Sequence, residues 1–348
     1  MTAPVENGTA LAGRYRKQML LPGIGPEGQK KISSSKVTII GCGALGTIAA
    51  DTLVRAGIGK IVLADRDFIE LDNLHRQTLF DEDDIAGNKP KAVAAAGKLS
   101  RINTEVTVEA RVFDINQKNI SGIIRGTDCV VDATDNFETR FLINYACHRL
   151  NIPWVYGGVV GTQGMTMPIL PGKTACFRCL VRDIPGTGSA ETCDTAGVIM
   201  PAVSVISSLQ CTEVLKILTG SDNVNAGTLT RVDVWEGSWD RFRVDPAPGC
   251  PLCSEGRYQF LDSPAPARAE SLCGRNSVQL TPGSAAPPDF KKLSEKLERL
   301  GRVVYNEHLL KFKIDSFEIV LFRDGRAIIG GTSNPMEARS LYSKYVGA

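Results

Sequence analysis

A glycine loop followed by acids and cations in a fixed order carries the chemistry of this chain. The loop is Gly41-Cys42-Gly43-Ala44-Leu45-Gly46, and Asp65, Asn73, Arg76, Gln77, Lys89 and Asp135 come after it. Glycine lets the backbone approach a phosphate without a Cβ, and N–H groups at the start of a helix favour phosphate oxygens. Asp65, about twenty residues beyond the loop, is placed to bind ribose hydroxyls. Loop and acid alone suit NAD as well as ATP. Arg76 and Lys89 shift the expectation, since a guanidinium and an ammonium beside the phosphates would neutralise charge on departing pyrophosphate. Asp135, in Ala133-Thr134-Asp135-Asn136, has two readings: it holds Mg²⁺ on a triphosphate, or it caps the helix beginning near Glu138. No general base is evident nearby. A nucleophile that is already anionic needs none, and a carboxylate attacking the α-phosphate of ATP gives an acyl adenylate and pyrophosphate.

The cysteines form a second constellation. Cys176-Phe177-Arg178-Cys179 and Cys250-Pro251-Leu252-Cys253 are two Cys-x-x-Cys knuckles far apart in sequence. Four thiolates in two such knuckles suit a tetrahedral structural Zn²⁺; the alternatives are a redox dithiol at either pair or a coincidence of spacing. Cys193 lies in the small-residue loop Thr187–Asp194 and reads either as a thiol that takes an activated acyl group or as an unreactive loop cysteine. Cys42, Cys129, Cys147 and Cys211 sit on apolar segments and read as packing residues.

These residues need a scaffold to bring them together. Val37–Ile40 reads as a strand entering the loop, Ala44–Ala56 as a helix stopped by Gly57, and Lys60–Asp65 as a second buried strand, a βαβ unit. Strands at Val106–Ala110, Cys129–Ala133 and Trp154–Tyr156, with helices at Lys89–Arg101 and Glu138–Leu150, extend it. The expected fold is α/β: a doubly wound, mostly parallel, Rossmann-like sheet. It continues into antiparallel strands at Gly161–Leu170 and Thr228–Trp235, with one long buried helix over Gly197–Leu218. Residues 259–288, rich in Pro and Ala, read as linker. Residues 289–348 read as a small α+β module, with helices at Phe290–Leu300 and Met336–Tyr345 and short strands between them.

Composition narrows the partners. Across 348 residues there are 40 basic and 38 acidic side chains, a formal charge of +2 with no basic tract, which argues against nucleic acid. The first residues show no apolar signal segment, and the runs Val37–Ile40 and Ile61–Ala64 are too short to cross a bilayer. No membrane partner is expected. Reduced thiols and a cytoplasmic location are.

Over roughly residues 14–256 the chain resembles the ThiF/MoeB/HesA group of ubiquitin-activating-enzyme-like adenylyltransferases. The elements that carry the resemblance are Arg14-Tyr15 with Gln18, Gly41–Gly46, Asp65, Asn73 with Arg76-Gln77, Lys89-Pro90, Thr134-Asp135-Asn136, both knuckles, and Cys193 before Ala196-Gly197-Val198. The resemblance implies MgATP-dependent adenylation of the C-terminal glycine of a small β-grasp sulfur-carrier protein ending in Gly-Gly. The adenylate would become a thiocarboxylate for thiamine, molybdopterin or related biosynthesis. It also implies a homodimer, one structural zinc at Cys176, Cys179, Cys250 and Cys253, and nucleotide contacts at Gly43, Ala44, Asp65, Asp72, Asn73, Arg76, Lys89, Asp135 and Asn136. On this reading residues 1–258 form the adenylation domain, 1–150 its ATP half and 151–258 its carrier half. Ala44 stands where the family often has glycine. Lys17 stands where it usually has the arginine that reaches the neighbouring subunit's ATP. The tail beyond Cys273 holds no cysteine, so sulfur would come from a separate donor. Rival readings are a nicotinamide dehydrogenase and an ATP-dependent tRNA-base dehydratase on the same fold.

Overall fold

The computed structural model describes residues 13–87, 89–184, 196–262, 268–272, 276–281 and 288–347. The chain divides into two units, Met1–Ser263 and Pro264–Ala348.

The first unit is built on an eight-stranded sheet. Its strands are β1 (Lys36–Ile40), β2 (Lys60–Ala64), β3 (Thr107–Arg111), β4 (Cys129–Asp132), β5 (Trp154–Val160), β6 (Gln163–Ile169), β7 (Thr228–Asp233) and β8 (Ser238–Arg243). Their order is β3-β2-β1-β4-β5-β6-β7-β8. The first five run parallel and the last three are added antiparallel. The main helices are α1 (Gly25–Ser34), α2 (Ala44–Arg55), α3 (Lys91–Ile102), α4 (Phe137–Leu150) and α5 (Met200–Thr219). A sheet covered on both faces explains strands that are apolar without a break. Ile39 and Val131 join the core under α2, α3 and α5, whereas their neighbours Ile40 and Val130 join the core under α4.

By length and composition α5 is apolar enough to cross a membrane, but half of the qualifying stretch is buried inside the protein. It packs on α2, β5 and β6. Its buried Gln210 ties it to the sheet, the amide donating to the carbonyls of Asp132 (2.7 Å) and Val155 (3.2 Å), while Ser207 donates to the Leu45 carbonyl of α2 (3.0 Å).

The second unit is a six-stranded antiparallel sheet, ordered β11-β12-β13-β14-β10-β9. Its strands are β9 (Arg268–Leu272), β10 (Ser277–Thr281), β11 (Arg302–Tyr305), β12 (Leu309–Ile314), β13 (Phe317–Phe322) and β14 (Ala327–Gly330), with helices α6 (Phe290–Leu297) and α7 (Pro335–Tyr345). Residues read as linker therefore include two strands of this sheet. Strand β10 buries Val278 and Leu280 and pairs with β14 and β9 in register. Two apolar residues in a Pro/Ala-rich setting are too weak a pattern to signal a strand; the pairing partners, distant in sequence, supply the rest. Strand β8 (Ser-Trp-Asp-Arg-Phe-Arg) carries no strand signal in the sequence for a related reason: an edge strand needs no apolar alternation.

Candidate functional site

The glycine loop lies at the C-terminal ends of β1 and β4, where a doubly wound sheet opens a crevice. Gly41 has φ +93°, and a Cβ there would stand 2.4 Å from the Ala133 carbonyl oxygen. A Cβ on Gly46 would fall 2.0 Å from the Gly41 carbonyl oxygen. These two glycines fold the loop onto β4. Gly43 differs: its nearest neighbour would be the Gln77 amide at 3.9 Å, so its missing side chain leaves open space. It is also the N-cap of α2, with no side chain filling that end. Ala44 follows as the first residue of the helix.

Asp65 is fixed at the end of β2. One carboxylate oxygen accepts from the Cys42 N–H (2.5 Å) and the other from the Asp67 N–H (2.6 Å), which couples the acid to the glycine loop. Burial raises its pKa and the Asp67 charge raises it further, while Lys91 and the two amides pull it down. Lys91, which the motif reading passed over, is buried, with Nζ 3.8 Å from Asp67 Oδ2. Its charge acts on Cys42 as well as Asp65. Lys89, two residues earlier, is exposed, its stem beside Gly87. The structure thus brings Lys91 to the loop, not Lys89. The Pro90 N-cap of α3 sets this register. Arg66, also unread in the sequence, pairs with Asp114 (2.6 Å), and Asp135 is among the acids that raise its pKa.

The turn before Gln77 is a 3₁₀ segment, Leu71–Asn73, closed by a reciprocal capping box between Glu70 and Asn73. Asn73 is buried and donates to Asp72 Oδ1 (2.9 Å). Arg76 donates from Nη1 to the Asp72 carbonyl (2.5 Å). Gln77 is buried beside Gly43, and its Oε1 has no hydrogen-bond partner among the described residues. An orphaned acceptor next to an open glycine is what a polar ligand would satisfy.

Asp135 follows β4. Asn136, not Asp135, caps α4, accepting from the Thr139 N–H at 2.8 Å. That separates the two readings of Asp135. Its carboxylate is exposed and accepts only a long bond from the Asn136 amide (3.3 Å) among the bonds described, so it is available to a cation on a bound phosphate. Lys17 is not brought to the loop. Its neighbours Tyr15 and Gln18 dock at the far end of α2, with Gln18 donating to the Ala56 carbonyl (3.0 Å) and Tyr15 filling the space at Gly57. A twelve-residue helix separates the two by about 18 Å.

The two knuckles converge. Cys176, Cys179, Cys250 and Cys253 place their sulfurs within 4.8 Å of one another. Individual Sγ separations are 3.9 Å (Cys176–Cys179), 3.7 Å (Cys176–Cys250) and 3.4 Å (Cys179–Cys253). Four thiolates on one Zn²⁺ at ~2.3 Å would stand about 3.8 Å apart, so the donor set fits. Without a cation, burial and the neighbouring sulfurs push the Cys176 thiol up, and burial first of all pushes Cys253 up to about 11. Cys193 lies outside the described residues.

With this geometry, comparison with known proteins is specific. The model of the ThiF family matches residues 15–252. A Bacillus subtilis protein named "Sulfur carrier protein ThiS adenylyltransferase" is 42% identical over 340 residues, covering 97% of this chain and all of the relative. An Escherichia coli protein of the same name is 38% identical over 241 residues, covering 69% of this chain and 94% of the relative. Among solved structures, E. coli MccB with ATP aligns with a TM-score of 0.59 at 28% identity, covering 66% of this chain and 69% of that one. MccB in complex with N-formylated MccA aligns with a TM-score of 0.63 at 27% identity, covering 72% and 77%. By the extent of both matches, this chain belongs to the ThiF family.

Proposed function

We propose that this protein is an ATP-dependent adenylyltransferase that activates the C-terminal glycine of a small β-grasp sulfur-carrier protein ending in Gly-Gly. The observation that carries the reading is the convergence on one crevice of an open glycine at a helix N-terminus, an amide-bound Asp65, a buried Lys91 and an exposed Asp135. Hydride transfer would leave Lys91 and Asp135 without work. The named relatives also favour adenylation over hydride transfer or base dehydration.

In the proposed reaction the carrier's terminal carboxylate attacks the α-phosphorus of ATP. A bond forms from carboxylate oxygen to phosphorus, the bond from phosphorus to the α–β bridging oxygen breaks, and pyrophosphate leaves with that electron pair. Asp65 orients the ribose. The α2 N-terminus, Arg76 and Lys91 stabilise charge on the phosphates, with Asn73 and Gln77 shaping the turn that holds Arg76. Asp135, with Asn136 beside it, would hold Mg²⁺, which shields the triphosphate charge. The four cysteines would hold a structural Zn²⁺ stapling the segment after β6 to the segment after β8.

A cytoplasmic homodimer with a separate sulfur donor completes the reading, with Lys17 acting across the subunit interface. Carrier-dependent exchange of labelled pyrophosphate into ATP tests it. Exchange should require both Mg²⁺ and a carrier ending in Gly-Gly; folded protein that exchanges with no such carrier overturns it. Cys193 is proposed to act after adenylation, so Cys193→Ala should keep exchange and slow thiocarboxylate formation. Loss of exchange in that variant would contradict the assignment.

A further inference from the structure

Asp132 and Arg140 form a buried pair whose hydrogen bonds go elsewhere. Asp132 ends β4 and is fully buried; its Oδ1 accepts from the Thr134 N–H (3.0 Å) and the Thr134 hydroxyl (2.7 Å). Arg140, on the first turn of α4 and 7% exposed, donates from Nη2 to the Thr134 carbonyl (2.7 Å). Its guanidinium sits 5.3 Å from the Phe137 ring centre and 5.4 Å from that of Tyr156. Gly158 makes room for it, since a Cβ there would stand 3.3 Å from Nη2. Arg140 Nε and Asp132 Oδ2 form a long ion pair at 3.5 Å, and the Gly157 backbone lies against both groups, its carbonyl 3.5 Å from Arg140 Nη2 and its N–H favouring the Asp132 carboxylate.

A buried ion pair with such loose contact is a poor source of stability, because desolvating both ions offsets most of their attraction. What the pair does achieve is specific. The N–H, hydroxyl and carbonyl of Thr134 are all held, and Asn136 is pinned by capping α4. Asp135 lies between these two fixed residues, with its exposed carboxylate aimed by a backbone that has little freedom left.

We propose that Arg140 and Asp132 are positioning residues that hold Asp135 where it meets the cation on ATP; the proposal rests on the adenylation reading of this crevice. Residues that orient a metal ligand typically change metal affinity about 10–100-fold when removed. The test is Mn²⁺ binding in the presence of ATP, followed by electron paramagnetic resonance on the full-length protein, with zinc content and thermal unfolding measured alongside.

Arg140→Lys keeps the charge but loses the fork, and should weaken Mn²⁺–ATP binding about tenfold. The double variant Asp132→Asn with Arg140→Met removes both buried charges. It should unfold near the wild-type temperature yet bind Mn²⁺–ATP about tenfold more weakly, an outcome a purely structural pair would not give. Thr134→Val leaves the pair in place and removes one of its bonds to the turn, so a loss of roughly threefold is expected where the other variants fail to fold. Wild-type affinity in a folded double variant, or in Thr134→Val, overturns the proposal. Wild-type protein that does not bind Mn²⁺–ATP at all overturns the adenylation reading instead.

Discussion

The ammonium of Lys91 is buried among Asp65, Asp67 and the glycine loop, whereas the ammonium of Lys89 is in solvent. A cation in a dry, acid-lined crevice stabilises developing phosphate charge far more than one in water. Lys91→Ala should therefore lower the pyrophosphate-exchange rate roughly 10²–10³-fold, and Lys89→Ala should change it by no more than about twofold. Exchange rates of the two variants under saturating ATP decide the matter, and a larger loss at Lys89 would reverse the assignment. Residue types were legible at this scale but their register was not. Lys-Pro-Lys places two ammoniums two residues apart, and only the start of α3 at Lys91 shows which one turns inward. Arg66 and Arg140 gave no motif signal for a similar reason. Their partners, Asp114 in one case and the Thr134 carbonyl in the other, are set by chain reversals, not by spacing.

Among elements, the βαβ unit around the loop was legible because short β-branched runs, a glycine turn and a helix of ordinary length leave little alternative. The glycines within it divide by what surrounds them. Gly46→Ala drives a methyl into the Gly41 carbonyl, and the backbone must shift to admit it. A loss of about 1–3 kcal/mol of stability is expected, read from denaturant unfolding. Gly43→Ala meets nothing closer than 3.9 Å, so stability should hold. The added methyl instead occupies the phosphate side of the loop and should raise the KM for ATP. If Gly46→Ala were as stable as wild type, the packing of the loop on β4 would be misjudged. The antiparallel half was less legible. Strands β8, β9, β10 and β14 are short, polar or at edges, and their identity comes from pairing across long sequence separations.

For the whole molecule, the division at Ser263 and Pro264 makes a prediction about where activity resides. Every residue placed in the crevice, and all four clustered cysteines, fall in the first unit. The second unit closes its own core, in which α6 and α7 cover a sheet with Leu310, Phe312, Ile319, Leu321 and Ile329 buried. The E. coli relative matches 69% of this chain with 94% of its own length, so a family member of similar extent to the first unit exists without a comparable tail. The B. subtilis relative matches nearly the full chain, so the second unit is shared by some members of the family and missing from others. A protein ending at Ser263 should therefore fold, retain one zinc per chain and catalyse carrier-dependent pyrophosphate exchange within a few-fold of the full-length rate. The measurement is exchange at equal concentrations of the two forms, with zinc content and thermal unfolding as controls for folding. A truncated protein that unfolds as full-length does and holds its zinc, yet has lost exchange, would move part of the adenylation machinery into the second unit. Retained exchange with a raised KM for the carrier alone would instead assign the second unit to carrier recognition, leaving the chemistry where the crevice residues place it.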